Sequence, residues 1–294
     1  MTTRKPGHPA AHVPEPLRRD VFDPALKHYP NAFVHGPPRS AEHARALLDA
    51  RAPLLARSLH ALARPGLRDR LVLRGSVTLA AWFPERARRA KDIDLIVRDP
   101  DCKPTSGAGG DLLAEILDAV GTELFDAGAP VIVDEIALDS IWTYERAEGR
   151  RISIPWRFDD AIRDVVQLDV VFDEPLADAP VLEAPAGGPP LWFASKAEQL
   201  AWKLLWLEDD YHPQGKDLYD AVLLAEQVEL PVALLAQVFA AKQSQWRYGS
   251  SAAFVHDWEA RRFEWETFAL ESPELASDDP AAWIRRLGSA LRLV

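Results

Sequence analysis

The hydrophobic residues of this chain change their spacing once. Up to about residue 190, short alternating runs interleave with runs at helical spacing; from Leu191 onward only helical spacing remains. Alternation marks a strand with one buried face, and a period of three to four marks a helix. A chain patterned this way is expected to fold as α+β, with a mixed β-sheet and flanking helices over residues 41–190. A helical domain, residues 191–294, follows. Residues 1–40 are rich in proline and histidine and carry neither period, so they are expected to form an extended arm. The irregular spacing of His8, His12, His28 and His35 points to solvated side chains rather than a metal site.

Within the first region the pattern predicts a helix over 41–64, with Ser40 as its cap and Pro65-Gly66 as its stop. A strand at RLVLRGS, a short helix at VTLAAWF, a strand at DIDLIV and a helix over 112–128 come next. Further β-rich runs end with VVQLDVVFDEP, and ADAPVLEAPAGGPP resembles a linker. Five helical runs follow, the first opening at Trp192 and the fourth unbroken from Ala252 to Leu270.

Composition narrows the function classes. A net charge of −11 argues against a surface coated with cations for nonspecific nucleic-acid binding, while leaving a local basic patch open. The single cysteine, Cys102, has no partner for an internal disulfide and fits a reducing compartment. No apolar run reaches the length of a membrane span, and the N-terminal residues show no hydrophobic signal core. A cytoplasmic protein without membrane partners is expected.

Three short stretches carry chemistry. In LRGS, a strand turns through Gly75-Ser76 into a helix; the turn either caps that helix or presents backbone N–H groups and the Ser76 hydroxyl to a phosphate. In DIDLIV, alternation puts Asp92 and Asp94 on one face and Ile93 on the other. Carboxylates that close repel unless water or a cation relieves them, and magnesium favours such hard oxygen ligands. Asp169, inside VVQLDVVFDEP, is a third carboxylate that a neighbouring strand would bring beside the pair. Three acids from two strands suit a two-metal site for phosphoryl or nucleotidyl transfer. The alternative for each acid is a solvated strand face.

Gly-Ser on a strand–helix turn, D-x-D on the next strand and one later Asp together resemble the polymerase-β-like nucleotidyltransferase superfamily. AWKLLWLEDDYHPQGKDLYDAVLL, residues 201–224, is similar to the distal motif of the AbiEii/AbiGii toxin nucleotidyltransferases, with Lys203 on one helix and Lys216, Asp217, Leu218, Tyr219 and Asp220 opening the next. Three positions depart from the pattern: the turn has Arg74 and Ser76 around Gly75 where many members have Lys-Gly-Gly, and Ala90 stands where a serine or threonine is usual. The resemblance implies a nucleotidyltransferase-type sheet domain and transfer of a nucleoside monophosphate from an NTP to an acceptor hydroxyl. It implies magnesium, in a two-ion site, held by Asp92, Asp94 and Asp169. Gly75, Ser76 and Lys203 would grip the triphosphate, and Asp217 would face the site as a proton acceptor or an orienting group. The implied acceptor is RNA, foremost the tRNA 3′ end, and a cognate antitoxin protein is the implied partner.

Read on their own, Lys203 either snorkels from its helix or reaches a phosphate, Asp217 either favours its helix start or faces the site, and Tyr219 either packs or stacks on a base. Arg86, Arg88, Arg89 and Lys91, and separately Arg150, Arg151 and Arg157, are two basic clusters that either face water or track an RNA backbone. Two other functions fit the motifs: a nucleotidyltransferase acting on a small molecule or protein, and an inactive domain that binds nucleotide or a partner.

Overall fold

The computed structural model describes residues 41–294 apart from 144–146, 159–162, 186, 211–212 and 277–278; the expected arm, residues 1–40, lies outside the described residues. A seven-stranded mixed sheet forms the centre. Its strands are β1 (Leu71–Arg74), β2 (Asp92–Val97), β3 (Ala137–Thr143), β4 (Ala147–Arg157), β5 (Arg163–Val171), β6 (Val181–Glu183) and β7 (Leu191–Phe193), in the spatial order β3-β4-β5-β2-β1-β7-β6. The β5–β2 and β1–β7 pairs are parallel and the others antiparallel.

Alternation along these strands sorts side chains between two cores. Leu71, Leu73, Ile93, Leu95, Ile152, Ile154, Leu168 and Val170 are buried on one face. They pack with α1 (Ala41–Leu62) and α4 (Gly107–Asp126), which lie against each other. The Ser106 hydroxyl caps α4 by accepting from the Gly109 N–H at 3.1 Å. Each buried aliphatic side chain there contributes about 1.5–3 kcal/mol. On the opposite face Val72 and Ile96 join a second core built from α5 (Lys196–Asp209), α6 (Gly215–Ala225), α7 (Val232–Ala241), α8 (Ser251–Glu259), α9 (Glu266–Glu271) and α10 (Pro280–Ala290). The one-turn α2 (Pro65–Arg68) and α3 (Ser76–Trp82) flank β1 and bring the described helices to ten. None of them is long and apolar enough to cross a membrane.

Several sequence expectations shift. Pro65-Gly66 opens α2 rather than simply ending α1, because proline suits a first helical turn. The apparent linker contains the edge strand β6. Leu191–Phe193, expected to begin a helix, is β7, and helix begins only at Lys196, where the Ser195 hydroxyl accepts from the Glu198 N–H. Three residues are too few for alternation to announce a strand; pairing with β1 and β6 creates it. The expected helix over 252–270 breaks between α8 and α9, where Glu264 pairs with Gln214 in an isolated bridge.

Candidate active site

The sheet register assembles a row of charge across four strands. Asp94 faces Asp169 across the parallel β2–β5 pair, Arg74 faces Asp94 from β1, and Arg151 faces Asp169 from β4. Register partners point to the same side, so Arg151, Asp169, Asp94 and Arg74 share the face that α5 and α6 cover. Asp92 lies on this face too, two residues before Asp94 and opposite Gln167. The expectation that Asp169 lies beside the D-x-D pair is met in position.

These carboxyls are not equivalent. Burial pushes Asp94 up to about 7, the charge of Asp92 adds to the rise, Arg74 opposes it, and Asp169 raises it further. Asp169 is instead held by a two-pronged ion pair, with Arg151 Nε and Nη2 each 2.8 Å from a carboxylate oxygen. Arg74 donates to Glu174 at 2.8 Å, Lys242 pairs with the same carboxylate at 3.1 Å, and all three side chains are buried. The Arg74 guanidinium also lies over the rings of Trp202 and Trp206, at 5.4 and 5.8 Å.

The strand–helix turn fits against Asp94. Gly75 has φ 76°, and a Cβ there would run into Asp94 Oδ2, so the position requires glycine. Gln199 of α5 secures the turn: its Oε1 accepts from the Gly75 N–H at 3.0 Å and lies 2.9 Å from the Thr78 hydroxyl, while its Nε2 donates to the Ala194 carbonyl. The next side chain, Ser76, is buried, and its hydroxyl has no hydrogen-bond partner. Such an atom costs free energy until something pairs with it.

The distal residues close the site from the helical side. Lys203 is buried, and its ammonium bonds to Asp217 at 2.6 Å and to Asp220 at 2.9 Å. Burial pulls the Lys203 pKa down, but Asp217 and Asp220 more than offset it, and the amine is held above the ordinary lysine value. Asp220 also receives Arg88, whose Nη2 lies 3.1 Å away. Burial would raise Asp220, yet Arg88 and Lys203 hold it below the usual carboxylate range. Lys203 is therefore a fixed cation clamped between two carboxylates, near enough to Asp94 to pull its pKa down. Tyr219 packs against Phe268 and Trp283 and donates to the Arg86 carbonyl, which settles it as a packing residue.

A cleft of about 450 Å³ opens beside this cluster, with Arg45, Arg88, Arg89, Lys91 and Lys216 among its lining, together with Glu42, Glu271 and Glu274; Lys91 pairs with Glu271, and Arg89 with Asp49. Arg88 belongs to both places, since it lines the cleft and feels the charges of Asp92 and Asp217. Arg86 turns instead to Glu226, and Arg151, expected as part of a second basic surface, is engaged with Asp169.

A divalent cation fits the chemistry of the Asp92–Asp94 pair, hard oxygens on one face with one carboxyl pushed up first by burial and then by the charge of the other. The fit does not extend to a three-acid cage. Among the described residues no three His, Cys, Asp or Glu side chains gather closely enough to hold a metal.

Sequence reading located Gly75, Ser76, Asp92, Asp94, Asp169, Lys203 and Asp217, and the structure brings all seven to one region. It missed Glu174 and Gln199, and it named Arg74 and Arg151 without the carboxylates they pair with. Arg88 and Asp220, visible in the motifs, had no assigned partner in the sequence.

The family model for the nucleotidyl transferase AbiEii toxin of type IV toxin–antitoxin systems matches residues 57–291. No curated protein matches the chain. Among solved structures, the crystal structure of JHP933 from Helicobacter pylori aligns with a TM-score of 0.50 at 16% identity, over 84% of this chain and 90% of that one. At that identity the likeness is one of fold.

Proposed function

Since the chain belongs to the AbiEii nucleotidyl transferase toxin family, we propose that it transfers a nucleoside monophosphate from an NTP to a hydroxyl at the 3′ end of tRNA, with magnesium as cofactor and a cognate antitoxin as its restraint. The observation that carries the reading is one juxtaposition. A crowded carboxyl pair, Asp92 and Asp94, lies against a glycine turn that ends in a buried serine hydroxyl without a partner.

In this reading Asp92 and Asp94 hold magnesium, which when bound neutralises triphosphate charge and polarises the reacting phosphate. Ser76 donates its unpaired hydroxyl to a phosphate oxygen. Lys203 supplies a positive charge whose position is fixed in advance by Asp217 and Asp220, so little reorganisation is needed as charge develops. Asp217 then acts through Lys203 rather than on the acceptor. The acceptor hydroxyl attacks the α-phosphorus in line and gives its proton to solvent, the bond from the α-phosphorus to the bridging oxygen breaks, and pyrophosphate leaves.

The acceptor is argued from the cleft. Five cationic and three acidic side chains line it, an excess of cations in a chain whose net charge is −11, and Arg45 and Lys216 in that lining suit the backbone of a phosphodiester strand. The test supplies purified protein with magnesium, total tRNA and each labelled NTP in turn. Label is expected in tRNA with wild type and absent with Asp94→Ala. Label on the protein itself, or equal labelling by the variant, would sink the proposal.

A further inference from the structure

Asp169 is the residue on which a two-ion and a one-ion site differ. It neighbours Asp94 in register, so position alone would let it share a metal with that carboxylate. Its bonding says otherwise. Both of its oxygens are taken by Arg151 at 2.8 Å, in the side-on geometry that matches a guanidinium to a carboxylate. The pair is buried, with side-chain exposures of 9% and 12%. Gln167 braces it. With its amide turned so that the oxygen faces the guanidinium, Gln167 accepts from Arg151 Nε at 3.3 Å and from Nη2 at 3.2 Å. Arg151 is itself fixed, because it sits inside the long β4–β5 ladder, opposite Asp169.

For Asp169 to ligate a metal, the guanidinium would have to leave a buried partner with no compensation for either charge, a costly rearrangement. With Arg151 in place, one of the three carboxylates is already neutralised. Asp92 and Asp94 remain, and one divalent ion balances their charge. The absence of a three-acid cluster among the described residues agrees with that count.

Resting on the nucleotidyl-transfer reading above, we propose that this site works with a single divalent cation on Asp92 and Asp94, and that the Arg151 guanidinium on Asp169 supplies the fixed positive charge a second ion would otherwise bring. Arg151 is thus a positioning residue that sets metal stoichiometry.

The test counts ions rather than turnover. Manganese binding is titrated by electron paramagnetic resonance and calorimetry, with a non-hydrolysable NTP analogue present. Wild type is expected to bind one ion per chain, and Asp94→Asn to lose it. Arg151→Gln is expected to gain a second, weaker ion, and R151Q combined with Asp169→Asn to return to one. If Arg151→Gln fails to fold, Arg151→Lys keeps the buried charge but frees one oxygen of Asp169, and a second ion should then appear. Two ions on wild type would overturn the inference and leave the transfer reading standing. One ion on a folded Arg151→Gln would also overturn it. No manganese on wild type would overturn both readings, so the two failures are told apart.

Discussion

The two faces of the central sheet are made by the same strands and obey different rules. On the face covered by α1 and α4, Ile93, Leu95, Leu168 and Val170 are all buried and apolar. One residue along each strand, the other face carries Asp94, Asp169, Arg74 and Arg151. The first face only packs; the second joins Val72 and Ile96 to the helical core and, beside them, takes charges out of water and leaves Asp94 strained in its ionisation and Ser76 without a partner. The difference teaches that apolar cores on both faces secure the fold, so that one of them can also hold groups that destabilise it.

Substitutions on adjacent residues of β2 break this comparison most sharply. Asp94→Asn should cut tRNA labelling by about 10³-fold or more, comparable to removing a main electrostatic group from an active site, while the free protein melts no lower at pH 8. Ile93→Ala, one residue away, should do the reverse. It is expected to cost about 2–4 kcal/mol of stability by leaving a core cavity, read from chemical denaturation, with transfer per folded molecule retained. If the two variants gave the same profile, the division of labour between faces would fail.

Gly75→Ala tests where the faces meet the turn. The left-handed backbone and the approach of Asp94 should together cost about 1–3 kcal/mol, and the nucleotide KM should rise as Ser76 is displaced.

The pH response sharpens the contrast more gently. Burial is the main cause that pushes both Asp94 and Glu198 up to about 7. A carboxyl whose folded pKa is raised binds more protons in the folded state between about pH 4 and 7, so stability falls as pH rises across that window. The melting temperature of the metal-free protein should therefore drop from pH 5 to pH 8. Asp94→Asn should flatten the drop by about 2–4 °C, and Glu198→Gln should remove most of the rest. Smallest of all, Lys216→Gln in the cleft should weaken tRNA binding less than tenfold and lessen its salt dependence.

How much was legible in advance follows from range. Asp92 and Asp94 were readable because strand alternation is local, and Gly75-Ser76 because a glycine between strand and helix has few uses. Lys203 and Asp217 stood in a recognisable motif. Arg151 could not be paired in advance with Asp169, nor Arg74 placed beside Asp94, since that requires the register of β4 on β5 and of β1 on β2. Nothing within either strand encodes that register. β7 escaped for a related reason: its three residues become a strand only when β1 and β6 lie alongside.

Gln199 and Lys203 stand four residues apart on α5, one turn along the same side. The first ties down the Gly75 turn, and the second is locked to Asp217 and Asp220 of α6. The turn that carries the Ser76 hydroxyl and the ammonium of Lys203, both proposed to meet a nucleotide, thus share a single rigid handle. A slip of that helix along its axis would carry both off target together, so this half of the site is expected to fail all at once rather than by degrees.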